Sequence, residues 1–194
     1  KPEHPRSNLA SMGIYIFSWE ALKEALVTNR DQPGLDFGKH IIPYCRDKGE
    51  ALYAYEFNGY WKDVGTLTSY WEANMQLIDV VPEFNLYEEY WKIYTNVTSL
   101  PPQYYGRNSH VERSIVGEGS EIYGKVYNSV IGTDVVIGEN TVVRDSIIMN
   151  GASIAGDSSL EKTIVAEHAA IGDHVIIGEG EELPNDTRPD IYRE

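Results

Sequence analysis

The sequence predicts an α/β segment followed by a parallel β-helix, and three observations carry that assignment. Strand-like and helix-like patterns alternate over residues 1–81. A stretch with no steady period, residues 82–112, holds Pro82, Pro101, Pro102 and several tyrosines, and so reads as a connector. From Ile115 onward the aliphatics become regular. Ile131, Ile137, Val143, Ile148, Ile154, Leu160, Val165, Ile171 and Ile177 follow one another at steps of 6, 6, 5, 6, 6, 5, 6 and 6. A hexapeptide period places three short strands in each coil, with every aliphatic pointing into a shared core. Three domains follow: 1–81, the connector 82–112, and a β-helix over 113–194.

Taken in order, residues 9–17 (LASMGIYIF) are mostly apolar, β-branched and aromatic, which predicts a buried strand. Ser18 is placed to cap a helix in which Trp19, Leu22 and Leu26 share a face. The segment DFGKHIIPYCRDKG predicts a second helix. Asp36 stands at its start, Gly49 at its stop, and Pro43 is tolerable only near the first turn. ALYAYEF, the Asn58-Gly59 turn and YWKDV predict a β-hairpin. From Thr66 a third helix places Leu67, Tyr70, Trp71, Asn74, Leu77 and Ile78 along one stripe, a core face rather than a ligand site. In the repeats, glycine follows the aliphatic at Gly117, Gly132, Gly138, Gly172 and Gly178, which reads as the requirement of a tight corner.

The composition narrows the function. The 194 residues are 42% hydrophobic and 24% charged, ordinary for a globular chain. A net charge of -14 argues against nucleic-acid binding. No apolar run approaches the roughly 20 residues that cross a bilayer, so no membrane partner is expected. Cys45 is the only cysteine, which favours a reducing, cytoplasmic setting. The chain starts at Lys1 and its first methionine is Met12, so it reads as a piece of something longer.

The motifs LASMGIY, DFGKHIIP and WKDVGT, in that order and ahead of hexapeptide coils, resemble the bacterial glucose-1-phosphate adenylyltransferase (ADP-glucose pyrophosphorylase) family. The resemblance covers nearly the whole chain but not the family's glycine-rich nucleotide loop. It implies the C-terminal part of a Rossmann-like nucleotidyltransferase domain followed by a left-handed β-helix. It also implies transfer of an adenylyl group from ATP to α-D-glucose 1-phosphate for glycogen synthesis, with residues 1–194 inactive by themselves. A tetramer, homomeric or with a related subunit, and small-molecule allosteric effectors belong to the same expectation.

Residue by residue, the resemblance makes Asp63 a catalytic ligand of Mg2+, a hard cation that takes oxygen donors. Lys1 matches the lysine on the glucose-1-phosphate phosphate. Ser11 matches a serine that bonds the sugar phosphate or its hydroxyls, and Tyr15 shares its face. Asp36, Phe37 and Trp61 match positions lining the glucose site. The ordinary alternatives are a turn carboxylate for Asp63, a helix cap for Asp36 and a core ring for Trp61. Rival functions are a noncatalytic regulatory subunit, another sugar-phosphate nucleotidyltransferase, and a hexapeptide acyltransferase using His168 or His174. The uninterrupted repeats disfavour the last, and both histidines are expected at exposed corners.

Overall fold

The computed structural model describes residues 7–95 and 99–178. Two compact units are present, Lys1–Asn58 and Gly59–Glu194.

The first unit is built from helices. Helix α1 (Trp19–Thr28) starts at Ser18, whose carbonyl accepts from the Leu22 N–H at 3.0 Å while its hydroxyl makes no cap bond. A π-helical turn (Phe37–Ile41) runs directly into α2 (Ile42–Asp47), with Pro43 in its first turn. Asp36 caps the turn by accepting from the Lys39 N–H at 2.7 Å. Gly49, at φ +83°, ends α2 in the left-handed region that glycine enters most easily. Ala25, Ile41 and Cys45 are buried together, with Phe17, Leu26 and Tyr44 packed against them. Trp19, expected on the buried face, is 66% exposed, because the inward position of α1 is taken by Ala25.

Two element-level expectations are corrected here. Residues 9–17 form no strand, and Ile16 is 99% exposed. Residues 51–64 form no hairpin; Asn58-Gly59 is only a bend, and Tyr53 and Tyr55 are exposed. Local propensity supplies an extended backbone, but a strand exists only when a neighbour takes up its N–H and C=O groups. Among the described residues no such neighbour pairs with either segment.

In the second unit α3 (Leu67–Gln76) begins with a reciprocal cap: Thr66 Oγ1 accepts from the Ser69 N–H and Ser69 Oγ accepts from the Thr66 N–H. The β-helix then starts with β1 (Tyr104–Tyr105), β2 (His110–Glu112), β3 (Ile115–Val116), β4 (Glu121–Ile122) and β5 (Lys125–Tyr127). It continues with β6 (Val130–Ile131), β7 (Val136–Ile137), β8 (Val142–Arg144), β9 (Ile147–Ile148) and β10 (Ser153–Ile154). It finishes, within the described residues, with β11 (Ser159–Glu161), β12 (Ile164–Val165), β13 (Ala170–Ile171) and β14 (Ile176–Ile177). Three parallel sheets result: β1-β4-β7-β10-β13, β2-β5-β8-β11-β14 and β3-β6-β9-β12. The ladder thus begins at Tyr104, inside the stretch read as connector.

The aliphatic columns of the sequence are the columns of the core. Ile131 sits on Ile148 and Ile148 on Val165; Ile137, Ile154 and Ile171 stack likewise, as do Val143, Leu160 and Ile177. Pairing partners lie 17 residues apart from Val136 with Ser153 onward, but 15 apart at Glu121 with Val136 and Lys125 with His110. The short corner is Tyr123-Gly124, where a Cβ on Gly124 would meet backbone oxygens of the next coil.

The corners correct the role assigned to glycine. Gly117, Gly132, Gly138 and Gly172 do not take positive φ; among the five repeat glycines only Gly178 does, at +87°. Asn128, Asp134, Asn140, Asp145, Asp157, His168 and His174 occupy the left-handed region instead, at φ between 46° and 59°. Asn and Asp tolerate that region best among residues with a Cβ. Six of the seven, all but Asn140, donate their N–H to the preceding coil, for example Asp157 to the Glu139 carbonyl at 2.9 Å and His174 to Gly156 at 3.1 Å. Gly132 and Gly138 serve close approach: a Cβ there would lie 2.8 Å from the Asn150 nitrogen and 2.7 Å from the Ala155 carbonyl carbon.

Buried hydroxyls complete the corners. Ser129 Oγ accepts from the Ser146 N–H, and Ser146 Oγ from the Thr163 N–H, at 3.1 and 3.0 Å. Thr141 Oγ1 accepts from the Ser158 N–H, and Ser158 Oγ from the Val175 N–H, at 3.2 and 3.1 Å. These side chains satisfy amides that no ladder reaches, and among the described residues no buried side-chain polar atom lacks a partner.

Candidate functional site

The predicted site residues are divided between the two units. Lys1 lies outside the described residues.

In the first unit, the chain entering α1 passes the turn that leads to α2, and three of the predicted residues meet there. Ser11 Oγ and Tyr15 Oη are hydrogen-bonded at 2.9 Å. The Tyr15 ring stacks on Phe37, with centroids 5.7 Å apart and planes 11° from parallel. Phe17 closes the cluster, 6.3 Å from Tyr15 edge-on and 5.9 Å from Phe37. Phe17 was not singled out from the sequence, although its place two residues after Tyr15 on an extended run was the available signal. The result is a hydroxyl pair beside an aromatic wall, with Tyr15 and Phe37 each more than a third exposed. Such a surface offers hydrogen bonds to a polyol and an apolar face to its ring.

Asp36 adjoins this cluster but its carboxylate is engaged as the helix cap, and its N–H donates to His40 Nδ1 at 3.0 Å. The ordinary role is therefore filled, with the second carboxylate oxygen left over. Lys39 is exposed.

In the second unit, Trp61 is 47% exposed and so is not a core ring. Asp63 is exposed, and no hydrogen bond or ion pair ties its carboxylate to any described residue. Its neighbours are held. Lys62 Nζ meets Glu72 at 2.7 Å, Tyr60 Oη donates to Gln76 at 3.0 Å, and Thr66 caps α3. An extended segment pinned on both sides of a free carboxylate presents that carboxylate outward. Asp63 fits one oxygen ligand of a hard divalent cation, since its lone pairs are uncommitted. Among the described residues no group of three His, Cys, Asp or Glu side chains converges on a metal position, so the remaining ligands are not supplied by them.

The histidines stand clear of this chemistry. His168 and His174 are exposed corner residues, as expected, and His110 lies against Tyr127 on the outside of the β-helix. Cys45 is buried in the small core and is no accessible nucleophile.

Perturbed titration occurs away from these residues. Hydrogen bonds from Lys48 and then Tyr44 hold the Glu24 carboxyl below its usual value, tying α1 to α2. A hydrogen bond to Glu121 raises the Tyr123 phenol.

Comparison with known proteins agrees with the two-part organisation. Residues 1–80 match the nucleotidyl transferase family model, and residues 100–189 match the GlmU-like, C-terminal hexapeptide model. The chain is similar to a glucose-1-phosphate adenylyltransferase of Lachnospira eligens, 65% identical over 136 residues, which is 70% of this chain and 32% of the relative. The corresponding proteins of Clostridium acetobutylicum and Acetivibrio thermocellus are 56% and 54% identical over 133 residues, 68% of this chain and 35% and 31% of theirs. The chain thus spans about a third of the length of these curated relatives. No described helix is long and apolar enough to cross a membrane.

Proposed function

We propose, from the homology of this chain to the glucose-1-phosphate adenylyltransferases, that the protein containing it transfers an adenylyl group from ATP to α-D-glucose 1-phosphate, giving ADP-glucose and pyrophosphate. The observation that carries the reading is Asp63: an unpaired, outward carboxylate inside WKDVGT, on a segment fixed to α3 at Tyr60, Lys62 and Thr66.

In the reaction a phosphate oxygen of glucose 1-phosphate attacks the α-phosphorus of ATP, and pyrophosphate departs with the bonding electron pair. The protein's work is alignment and charge neutralisation. Magnesium supplies neutralisation of the phosphate oxygens when bound, and Asp63 is the residue here that would hold it. The Ser11 and Tyr15 hydroxyls bond the sugar or its phosphate. Phe37 and Trp61 line its apolar face, Asp36 accepts from a sugar hydroxyl, and Lys1 pairs with the phosphate. The β-helix carries no chemistry of its own; its faces and ends serve subunit contacts in a tetramer, and small-molecule effectors regulate the assembly. The setting is the cytoplasm, where both substrates are found.

The test is an assay of the full-length protein with glucose 1-phosphate, Mg2+ and, in turn, ATP, UTP and dTTP. Turnover with ATP alone is the expected result. Turnover with another nucleotide moves the protein to a different sugar nucleotide, and none with any of them moves it to a regulatory subunit. Asp63→Asn is expected to remove most of the turnover at saturating Mg2+, since an amide is a poor ligand for a hard cation. An unchanged rate would return Asp63 to an ordinary turn residue.

A further inference from the structure

The third sheet of the β-helix is unlike the other two on its outer face. Its inward positions are Ile131, Ile148 and Val165, with Val116 packed beside them. By strand alternation its outward column is Ile115, Val130, Ile147 and Ile164, stacked in register. The matching outward columns of the other sheets include Glu121 and Ser153, and Lys125 and Ser159. Ile147 is only 2% exposed although it stands outside the inward cluster, so its burial comes from beyond the coils.

Helix α3 is fastened to the corner that feeds this column. Trp71 Nε1 donates to the Asp145 carbonyl at 2.6 Å, across 74 residues of sequence. Asp145 is itself locked: it holds a left-handed φ of 47°, donates its N–H to Tyr127 and accepts from Asn128 on the coil before. A second tie, Arg113 to Asp79 at 3.3 Å, joins the chain just past α3 to the first coils. From α3 the links to residues 60–66 are those already described at Tyr60, Lys62 and Thr66. An unbroken series of contacts therefore runs from a rigid corner of the β-helix, through the Trp71 indole and α3, to both flanks of Asp63.

We propose that Trp71 is a positioning residue for the reaction: its indole bond to the Asp145 carbonyl sets α3 on the β-helix and thereby fixes the Asp63 carboxylate for its cation. The inference rests on the reading of Asp63 as a metal ligand. The β-helix then acts on metal binding without touching substrate, and changes in its coils reach the site through this one helix.

The test uses the full-length protein with Trp71→Phe, which keeps an aromatic ring and deletes the N–H. Mn2+, a paramagnetic stand-in for Mg2+, is titrated and the bound fraction read by electron paramagnetic resonance. Amide exchange of residues 67–76 is followed in parallel. Removing one neutral hydrogen bond is expected to speed exchange in α3 and to weaken Mn2+ binding, each by about five- to tenfold. The Mg2+ half-saturation of turnover rises in step, while kcat at saturating Mg2+ stays near wild type. Tyr60→Phe, which severs the link to Gln76 and leaves the β-helix contact intact, is expected to weaken Mn2+ binding in the same direction. Unchanged Mn2+ affinity in Trp71→Phe, beside a wild type that binds Mn2+, overturns the role of Trp71 whatever Tyr60→Phe does, and leaves the functional reading in place. A wild type that neither binds Mn2+ nor turns over any nucleotide removes the functional reading, and the inference with it.

Discussion

Thr141→Val tests the claim that hydroxyls, not only aliphatics, hold the coils together. The substitution is nearly isosteric, so packing volume is kept while chemistry changes. Thr141 is fully buried. Its Oγ1 accepts from the Ser158 N–H at 3.2 Å and donates to the Ala155 carbonyl at 2.6 Å, so one side chain serves two backbone groups of the next coil. Valine leaves both without these partners, the Ser158 N–H in a buried place and the Ala155 carbonyl in a half-buried one. At about 1–3 kcal/mol for an unsatisfied buried group, the Ser158 amide alone sets a loss of about 1–3 kcal/mol, to which the half-buried carbonyl adds. Ile148→Val, which trims one methylene from the same core, is expected to cost less, about 0.5–1.5 kcal/mol. Urea denaturation followed by far-ultraviolet circular dichroism reads both, with the slope of each transition checked against wild type so that a change in midpoint reports stability. A Thr141→Val loss below that of Ile148→Val would refute the reasoning, because it would mean that the Ser158 and Ala155 groups find other partners.

Two glycines give a sharper contrast. Gly132→Ala places a Cβ 2.8 Å from the Asn150 nitrogen and is expected to lower the melting temperature by several degrees, whereas Gly156→Ala, whose Cβ would meet nothing closer than 3.2 Å among the described residues, is expected to cost less; equal effects would sink the close-approach argument. The Glu24–Lys48 pair predicts a pH dependence of known sign. Because the folded-state pKa of Glu24 is depressed, its contribution is present above the ordinary carboxylate range and is lost as pH falls through the folded value. Amide exchange of α1 and α2 in wild type and Glu24→Gln should therefore differ at pH 7 and converge in acid. A difference that does not shrink as pH falls below the ordinary carboxylate range would contradict the assignment.

The β-helix was legible because its period is long-range and repeated. Each coil states the same aliphatic positions again, so Ile131, Ile148 and Val165 could be aligned without knowing any contact. The 15-residue coil was not legible, since its shortening at Tyr123-Gly124 falls ahead of the regular run. Nor was the division of labour at the corners. Glycine was credited with the turn because it follows each aliphatic, yet the left-handed residue stands later, at Asp134, Asn140 or His174, and glycine at 132 or 138 makes room for the backbone above. Strands over 9–17 and 51–64 failed for a different reason. Their apolar, β-branched composition describes a surface suited to a sheet, but pairing needs a second partner that local sequence does not specify. Of the candidate site, the Asp36 cap followed from its place at the helix start, whereas Ser11 and Tyr15 were put on one face of a strand that does not form. Phe17 and the Trp71–Asp145 bond were not anticipated, the latter because 74 residues separate donor and acceptor.

These differences bear on how the two parts of the candidate site are held. The Ser11–Tyr15–Phe37 cluster belongs to a unit whose described buried core is Ala25, Ile41 and Cys45, while Ile14, Ile16, Tyr53 and Tyr55 stand in solvent. So small a core supplies little opposition to local opening. Asp63 belongs to the unit that contains the β-helix, where eleven described buried hydrophobic residues form one core, nine of them stacked in register, and corner amides are answered by hydroxyls. A carboxylate that must meet a cation at a fixed distance gains from such a foundation, because coordination tolerates errors of only a few tenths of an ångström. A hydroxyl pair facing a sugar is less exacting, since several hydrogen-bond geometries serve. On the proposed reading of Asp63 as a metal ligand, the most position-sensitive ligand stands on the segment that α3 and Trp71 fasten to the β-helix, and the more tolerant contacts fall to the smaller core.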